Sequence, residues 1–192
     1  MTERMPPLAT SRMSAAQQKA AAELIAGPRK GVVGPFIALM RSPALMDRLG
    51  RVGEYLRFEN ALPQRLVEFA ILLTARHVTN QFEWILHHPL AIKAGVSRET
   101  LDAVSTGNRP ANMAGDEAVV HDFVTELLHE SLVSDANYAA ALERFGDEGV
   151  IDLIATVGYF VTVCLVMNVA GTPPPASEVA LLERLPRAAT RP

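Results

Sequence analysis

The stretch from Glu68 to Gly95, EFAILLTARHVTNQFEWILHHPLAIKAG, constrains this chain more than any other. It holds the only tryptophan, Trp84, and three of the five histidines. Two helical patterns meet in it, one from Pro63 to about His77 and one from Asn80 to about Ala94. The Val78–Thr79 link between them is short and returns the second helix beside the first. On the second helix Glu83 and His87 are four residues apart, so they stack on one face, with Asn80 in the same stripe. On the first helix Glu68 stands among Leu66, Val67, Phe69, Ala70, Ile71 and Leu72. A carboxylate in such a run needs a partner, because an unpaired buried charge is very costly. The hairpin supplies one if Glu68 faces Glu83 and His87 across the groove. Two acids and an imidazole in a dry groove form a proton-transfer site. The plain alternative is a Glu–His pair on a solvated helix face.

The remaining segments also read as helices, giving an all-α chain. Ser14 caps AAQQKAAAELIA, which Gly27-Pro28 stops, and RKGVVGPF is a loop on which Arg29 and Lys30 read as solvated charges. Ser42-Pro43 opens ALMDRLGRVGEYLRFE, and Pro63 opens the next helix in the same way. Pro89 lies inside the second hairpin helix and should kink it or break it locally. Gly95 ends that helix, Ser97 caps another, and a further helix starts near Asp116, with His121 and His129 off its apolar stripe and solvated. A short helix from Asp135 ends at Gly146. Gly149 to Ala170 is apolar nearly all round, as expected of a helix buried in a fold or at a subunit contact. Its length approaches that of a membrane span, but Asp152, Thr156, Thr162 and Asn168 are spread along it and no basic cluster flanks it.

The 192 residues form one domain with tails: an N-terminal arm (1–13) expected to be flexible, a body (14–171), and a Pro-rich end (172–192) whose SEVALLERL segment suits a short amphipathic helix. A net charge of −3 gives no footprint for nucleic acid. One cysteine excludes an internal disulfide framework and fits a reducing compartment, and no apolar leader opens the chain, so a cytoplasmic location is expected. Membrane partners are not expected. A metal reading would enlist Glu68, Glu83, His87 and His88. It is disfavoured because no second carboxylate–histidine set of the di-metal bundle type appears.

The segment RLVEFAILLTARHVTNQFEWILHHPLAIKAGVSRETLDAV resembles the signature of the carboxymuconolactone decarboxylase-like family, within the AhpD-like superfamily. The shared pattern is a Glu on one helix (Glu68), then Glu83-Trp84 and His87, an Ala-rich turn at Ala91, Ala94-Gly95-Val96-Ser97, and Glu99 at a helix start. The resemblance implies an AhpD-like helical bundle that assembles as a trimer or hexamer. The peroxidase branch of that superfamily carries C-x-x-C one turn before its histidine; here Asn80 and Glu83 occupy those places and Cys164 lies far away. A dithiol cycle needs a thiolate and a resolving thiol within reach. The resemblance therefore points to a lyase without a cofactor, acting on a small carboxylated lactone or a related intermediate of aromatic catabolism. On this reading His87, Glu68 and Glu83 are catalytic, and Asn80, Trp84 and His88 contact the substrate. Arg57, Arg65 and Arg76 are open candidates for its counter-charge, and the resemblance places the loop of Arg29 and Lys30 before a helix at the site mouth, where they could meet an anionic substrate. Peroxide reduction and a non-catalytic binding role are the alternatives.

Overall fold

The computed structural model describes residues 2–185 and shows eight α-helices and, among the described residues, no strand. They are α1 (Ala15–Ala26), α2 (Pro35–Leu39), α3 (Pro43–Phe58), α4 (Gln64–His77), α5 (Gln81–Ala94), α6 (Arg98–Ser105), α7 (Gly115–Glu130) and α8 (Asp135–Ala170). A 3-10 turn at Thr10–Arg12 precedes them.

The fold is built around α4. Every residue from Leu66 to Arg76 is buried, so α4 has no solvent face along that length. Helices α5, α7 and α8 pack around it. Leu66, Val67, Phe69, Ile71 and Leu72 are all fully excluded from water. Each contributes about 1.5–3 kcal/mol on burial, which holds the bundle about this axis. A second, smaller cluster joins α1, α2 and α3 through Ala20, Ala21, Phe36, Leu39, Met40 and Met46.

Glycines and polar caps set where helices stop. Gly95 takes a left-handed φ of 109° at the end of α5, and Gly171 does the same at the end of α8 with φ 70°. Gly146 interrupts α8 with φ 67° and ψ 179°, as expected of a stop there, yet the helix resumes at once. Pro89 does not break α5, which runs through it to Ala94. Its missing N–H frees only the Ile85 carbonyl, and the surrounding packing holds the helix. The apolar half of α8 lies in the core, where Leu153, Val157, Phe160, Val163 and Met167 are buried. By length and composition α8 could cross a membrane. Its packing on α4 and α7 makes it a core helix of the bundle.

The ends of the chain are tied to the body. The Arg4 and Met5 N–H groups donate to the Ala170 carbonyl at 2.6 and 3.3 Å. At the other end, Gln81 donates to the Leu182 carbonyl and accepts from the Leu182 N–H, both at 2.8 Å. The helix expected in SEVALLERL is absent: residues 172–185 are irregular. Seating the Leu182 side chain in the core while its backbone bonds Gln81 requires an open backbone there. Residues 186–192 of the expected tail lie outside the described residues.

Candidate functional site

Two sequence devices bring the acids and the imidazole together. The α4–α5 turn holds Thr79 at φ 51°, and the Asn80 N–H donates to the Ala75 carbonyl at 2.8 Å. Asn80 then caps α5, its Oδ1 accepting the Glu83 N–H at 2.8 Å. Both amide hydrogens of Asn80 go to α8, to the Cys164 carbonyl at 3.1 Å and Asn168 Oδ1 at 2.9 Å. No hydrogen of that amide is left for a substrate. Asn80 instead fixes the first turn of α5 against α8.

One turn on, His87 sits between the two carboxylates. Its Nδ1 lies 2.6 Å from Glu68 Oε2 and its Nε2 lies 3.0 Å from Glu83 Oε2. All three side chains are buried, with exposures of 1–4%. An imidazole donating from both nitrogens is an imidazolium. Burial pulls the His87 pKa down, but the hydrogen bonds to Glu68 and Glu83 outweigh it and raise it above the ordinary value. Glu68 shows the mirror effect. Burial pushes its carboxyl up, while His87, Gln64 and Arg57 bring the net value below the usual range. Gln64 Nε2 donates to Glu68 Oε1 at 2.8 Å, and Gln64 is solvent-exposed. The Glu68 end of the chain of protonatable groups thus reaches toward water through Gln64.

Trp84 and His88 form a separate stripe one residue further round α5. Their rings meet edge to face at 5.6 Å. His88 is half-buried; burial, then Arg98 on α6, lowers its pKa, so it is neutral at pH 7. The aromatic ring against His87 is Phe160 of α8, edge-on at 5.5 Å. Sequence reasoning missed it, because a Phe in a uniformly apolar helix carries no positional signal.

The arginines separate clearly. Arg65 pairs with Glu117 at 2.5 Å and Asp116 at 2.7 Å, which commits it to α7. Arg76 donates to the Ser105 carbonyl and to Thr79 Oγ1 at 3.0 and 2.8 Å. Arg57 stays near the trio, where its charge lowers the Glu68 pKa. Arg29, expected to be a solvated loop charge, has a side chain only 6% exposed. His121, expected on a solvated face, is also buried: it stacks on Phe69 at 6.5 Å and pairs with Asp122 at 3.0 Å.

Cys164 is buried, and burial, then Glu83, pushes its thiol well above the ordinary value. Such a thiol is a poor nucleophile. Among the described residues, no group of three or more His, Cys, Asp or Glu is arranged to hold a metal ion. Both His87 nitrogens are already engaged by carboxylates. A recess of about 1360 Å³ lies elsewhere, bounded by Arg76, His77, His121, His129 and Arg184, and the trio does not line it.

No protein-family model matches the sequence, and no curated protein matches it. Several solved structures share its fold, and two illustrate it. One is an uncharacterized peroxidase-related protein with an alkylhydroperoxidase AhpD core, from Ralstonia eutropha, at 17% identity and TM-score 0.73. The match covers 90% of this chain and 92% of that one. The other is a protein of unknown function from Agrobacterium tumefaciens, provisionally assigned to antioxidant defence as AhpD, at 14% identity and TM-score 0.65. That match covers 72% of this chain and 96% of the other. The chain therefore has the all-helical AhpD-like fold.

Proposed function

We propose that this protein is a cofactor-free acid–base lyase of the carboxymuconolactone decarboxylase type, acting on a small carboxylated lactone or a related conjugated acid. The observation that carries this reading is the buried imidazole clamped by two carboxylates at 2.6 and 3.0 Å. In the reaction the bond from carbon to the carboxylate breaks, CO2 leaves, and the electron pair is delocalised into the conjugated carbonyl. The resulting carbanion takes up one proton at another carbon. The step therefore consumes one proton. His87 passes its Nε2 proton through Glu83 to the carbanion; the neutral imidazole keeps its Nδ1–H on the Glu68 carboxylate, and Nε2 takes up a proton from solvent once the product has left.

Peroxide reduction, suggested by the peroxidase-related fold neighbour from Ralstonia eutropha, meets a chemical obstacle in this chain. It has one cysteine, buried and with a raised pKa, and no second thiol to resolve it. The test is CO2 release from a panel of carboxylated butenolides. His87→Asn should lower turnover by about 10²–10⁴-fold, the range of a general acid–base group, with the helical circular dichroism unchanged. Wild-type turnover in that variant would sink the reading.

We also propose that the chain self-associates, in keeping with the trimer or hexamer expected from the resemblance. Ile151, Ile154, Leu165 and Val169 on α8 remain exposed at helical spacing, and Val52, Tyr55 and Phe58 of the adjoining α3 are exposed as well. Apolar side chains gathered on packed helices mark an association surface. Light scattering on the full chain checks this, and a strictly monomeric protein at micromolar concentration would overturn it.

A further inference from the structure

Two guanidinium groups near the trio each keep one buried nitrogen without a hydrogen-bond partner. Arg29 follows the Gly27 stop of α1, and its Nη2 is buried without a hydrogen-bond partner. Its one ionic neighbour, Glu54, is 3.9 Å from Nη1 and 41% exposed, so that attraction is weak. Arg57, in the last turn of α3, has its Nε buried and likewise unpartnered. Gly53 lies one turn before Arg57 on the same helix face. A side chain at Gly53 would collide with both the Tyr159 hydroxyl and Arg29 Nη2, so the bare backbone of α3 lets these two groups meet over it. Burial, then the neighbouring Arg57, pulls Arg29 below its ordinary pKa; the Tyr159 phenol opposes this only in part.

Glu68, Glu83 and Glu54 stand against His87, Arg29 and Arg57, but Glu54 is 41% exposed and 3.9 Å from Arg29, so solvent weakens its share of that balance. Unsatisfied cationic N–H groups are costly inside a protein, and that cost is relieved by one monoanion with several acceptor lone pairs. A recess of about 100 Å³ opens on the outer side of Arg29, lined also by Gly27 and Gly50; Arg57 and Tyr159 stand behind Arg29 and do not line it. The acids on its rim, Glu23, Asp47 and Glu54, are 55%, 34% and 41% exposed, so solvent screens them.

We propose that Arg29 and Arg57, with the Tyr159 hydroxyl, form the seat for the carboxylate of a small planar organic monoanion. The assignment deepens the lyase reading and rests on it for the identity of the ligand as substrate. A guanidinium presents paired N–H donors to a carboxylate in a planar fork, and the phenol adds a third donor. The seat adjoins the trio through Phe160, whose ring meets Tyr159 at 5.2 Å and His87 at 5.5 Å.

The probes are 2-furoate and its neutral isostere 2-furamide, titrated calorimetrically into the full-length protein. Furoate should bind at least about tenfold tighter than the amide, as expected of charge-assisted hydrogen bonds. Arg57→Gln should reduce that preference to within about twofold, and Arg29→Gln should reduce it partly. Equal binding of the two probes, absence of furoate binding, or an undiminished preference in folded Arg57→Gln would overturn the seat. If Arg57→Gln does not fold, the wild-type comparison of furoate with furamide decides alone. His87→Asn separates the two readings. Retained furoate preference with lost turnover supports both. Retained preference with retained turnover supports the seat and overturns the acid–base role of His87.

Discussion

The molecule contains two histidine–carboxylate arrangements on neighbouring helices, and they differ in kind. His87 is held through both ring nitrogens by Glu68 and Glu83, with every member at 1–4% exposure. His121 meets one carboxylate through one nitrogen, and that carboxylate, on Asp122, is 36% exposed. Asp122 is moreover shared with Arg109, which donates to both of its oxygens at 2.9 and 2.8 Å. The Arg109 guanidinium, and after it burial and His121, sets the balance that lowers the Asp122 pKa. Asp122 is thus held mainly as a counter-ion, whereas Glu68 and Glu83 have the imidazole as their chief polar partner. Residue type alone does not make a proton relay. Exclusion of water and the absence of a stronger competing cation do.

Turnover should separate the two arrangements most. His121→Asn should leave CO2 release within about twofold of wild type, against the 10²–10⁴-fold loss expected for His87→Asn. Equal losses in the two variants would erase the distinction. Stability should separate them next. Glu68→Gln leaves a buried imidazolium short of a charge and should cost about 3 kcal/mol, whereas Asp122→Asn, at a part-exposed pair, should cost at most about 1 kcal/mol. For a chain of this size the first corresponds to a fall in Tm of roughly 6–12 °C, measurable by calorimetry. Identical melting curves would overturn the contrast.

Proton titration gives the finest comparison. Ring-carbon NMR should show His87 protonated above its ordinary pKa, while His77 and His88, lowered chiefly by burial, lose their protons below theirs. The raised His87 value means its contribution to stability is complete below the unfolded pKa of about 6.5 and is lost as pH rises through the folded value. The lowered Glu68 value means its contribution is present above the unfolded pKa of about 4.3 and is lost as pH falls through the folded one. The clamp should therefore be firmest between these limits. A His87 resonance titrating together with His88 would contradict it.

Much of this arrangement is legible in the sequence, and the reasons for the rest are physical. The i,i+4 spacing of Glu83 and His87, and a carboxylate stranded in an apolar run, suffice to bring the trio together once a short turn is recognised. The cap at Asn80 is also local, although its hold on α8 is not. The burial of Arg29 could not be read, because a loop following Gly-Pro looks solvated until α2 and α3 fold over it and place its guanidinium 4.8 Å above the Phe36 ring. His121 could not be read because its burial depends on how α7 meets α4. The open backbone at 177–185 is set by a tertiary docking that overrides a good helical pattern.

Asn80 has one more consequence. Its side chain ties the start of α5 to the Cys164 carbonyl and Asn168 of α8. That bracket sets the azimuth of α5 about its own axis, and with it the aim of every residue on the Glu83–His87 stripe. The acid and the imidazole therefore share a single mechanical reference on α8, the helix that also supplies Phe160 and Tyr159. A rotation of α5 by a few degrees would detune both groups together, at a distance from either.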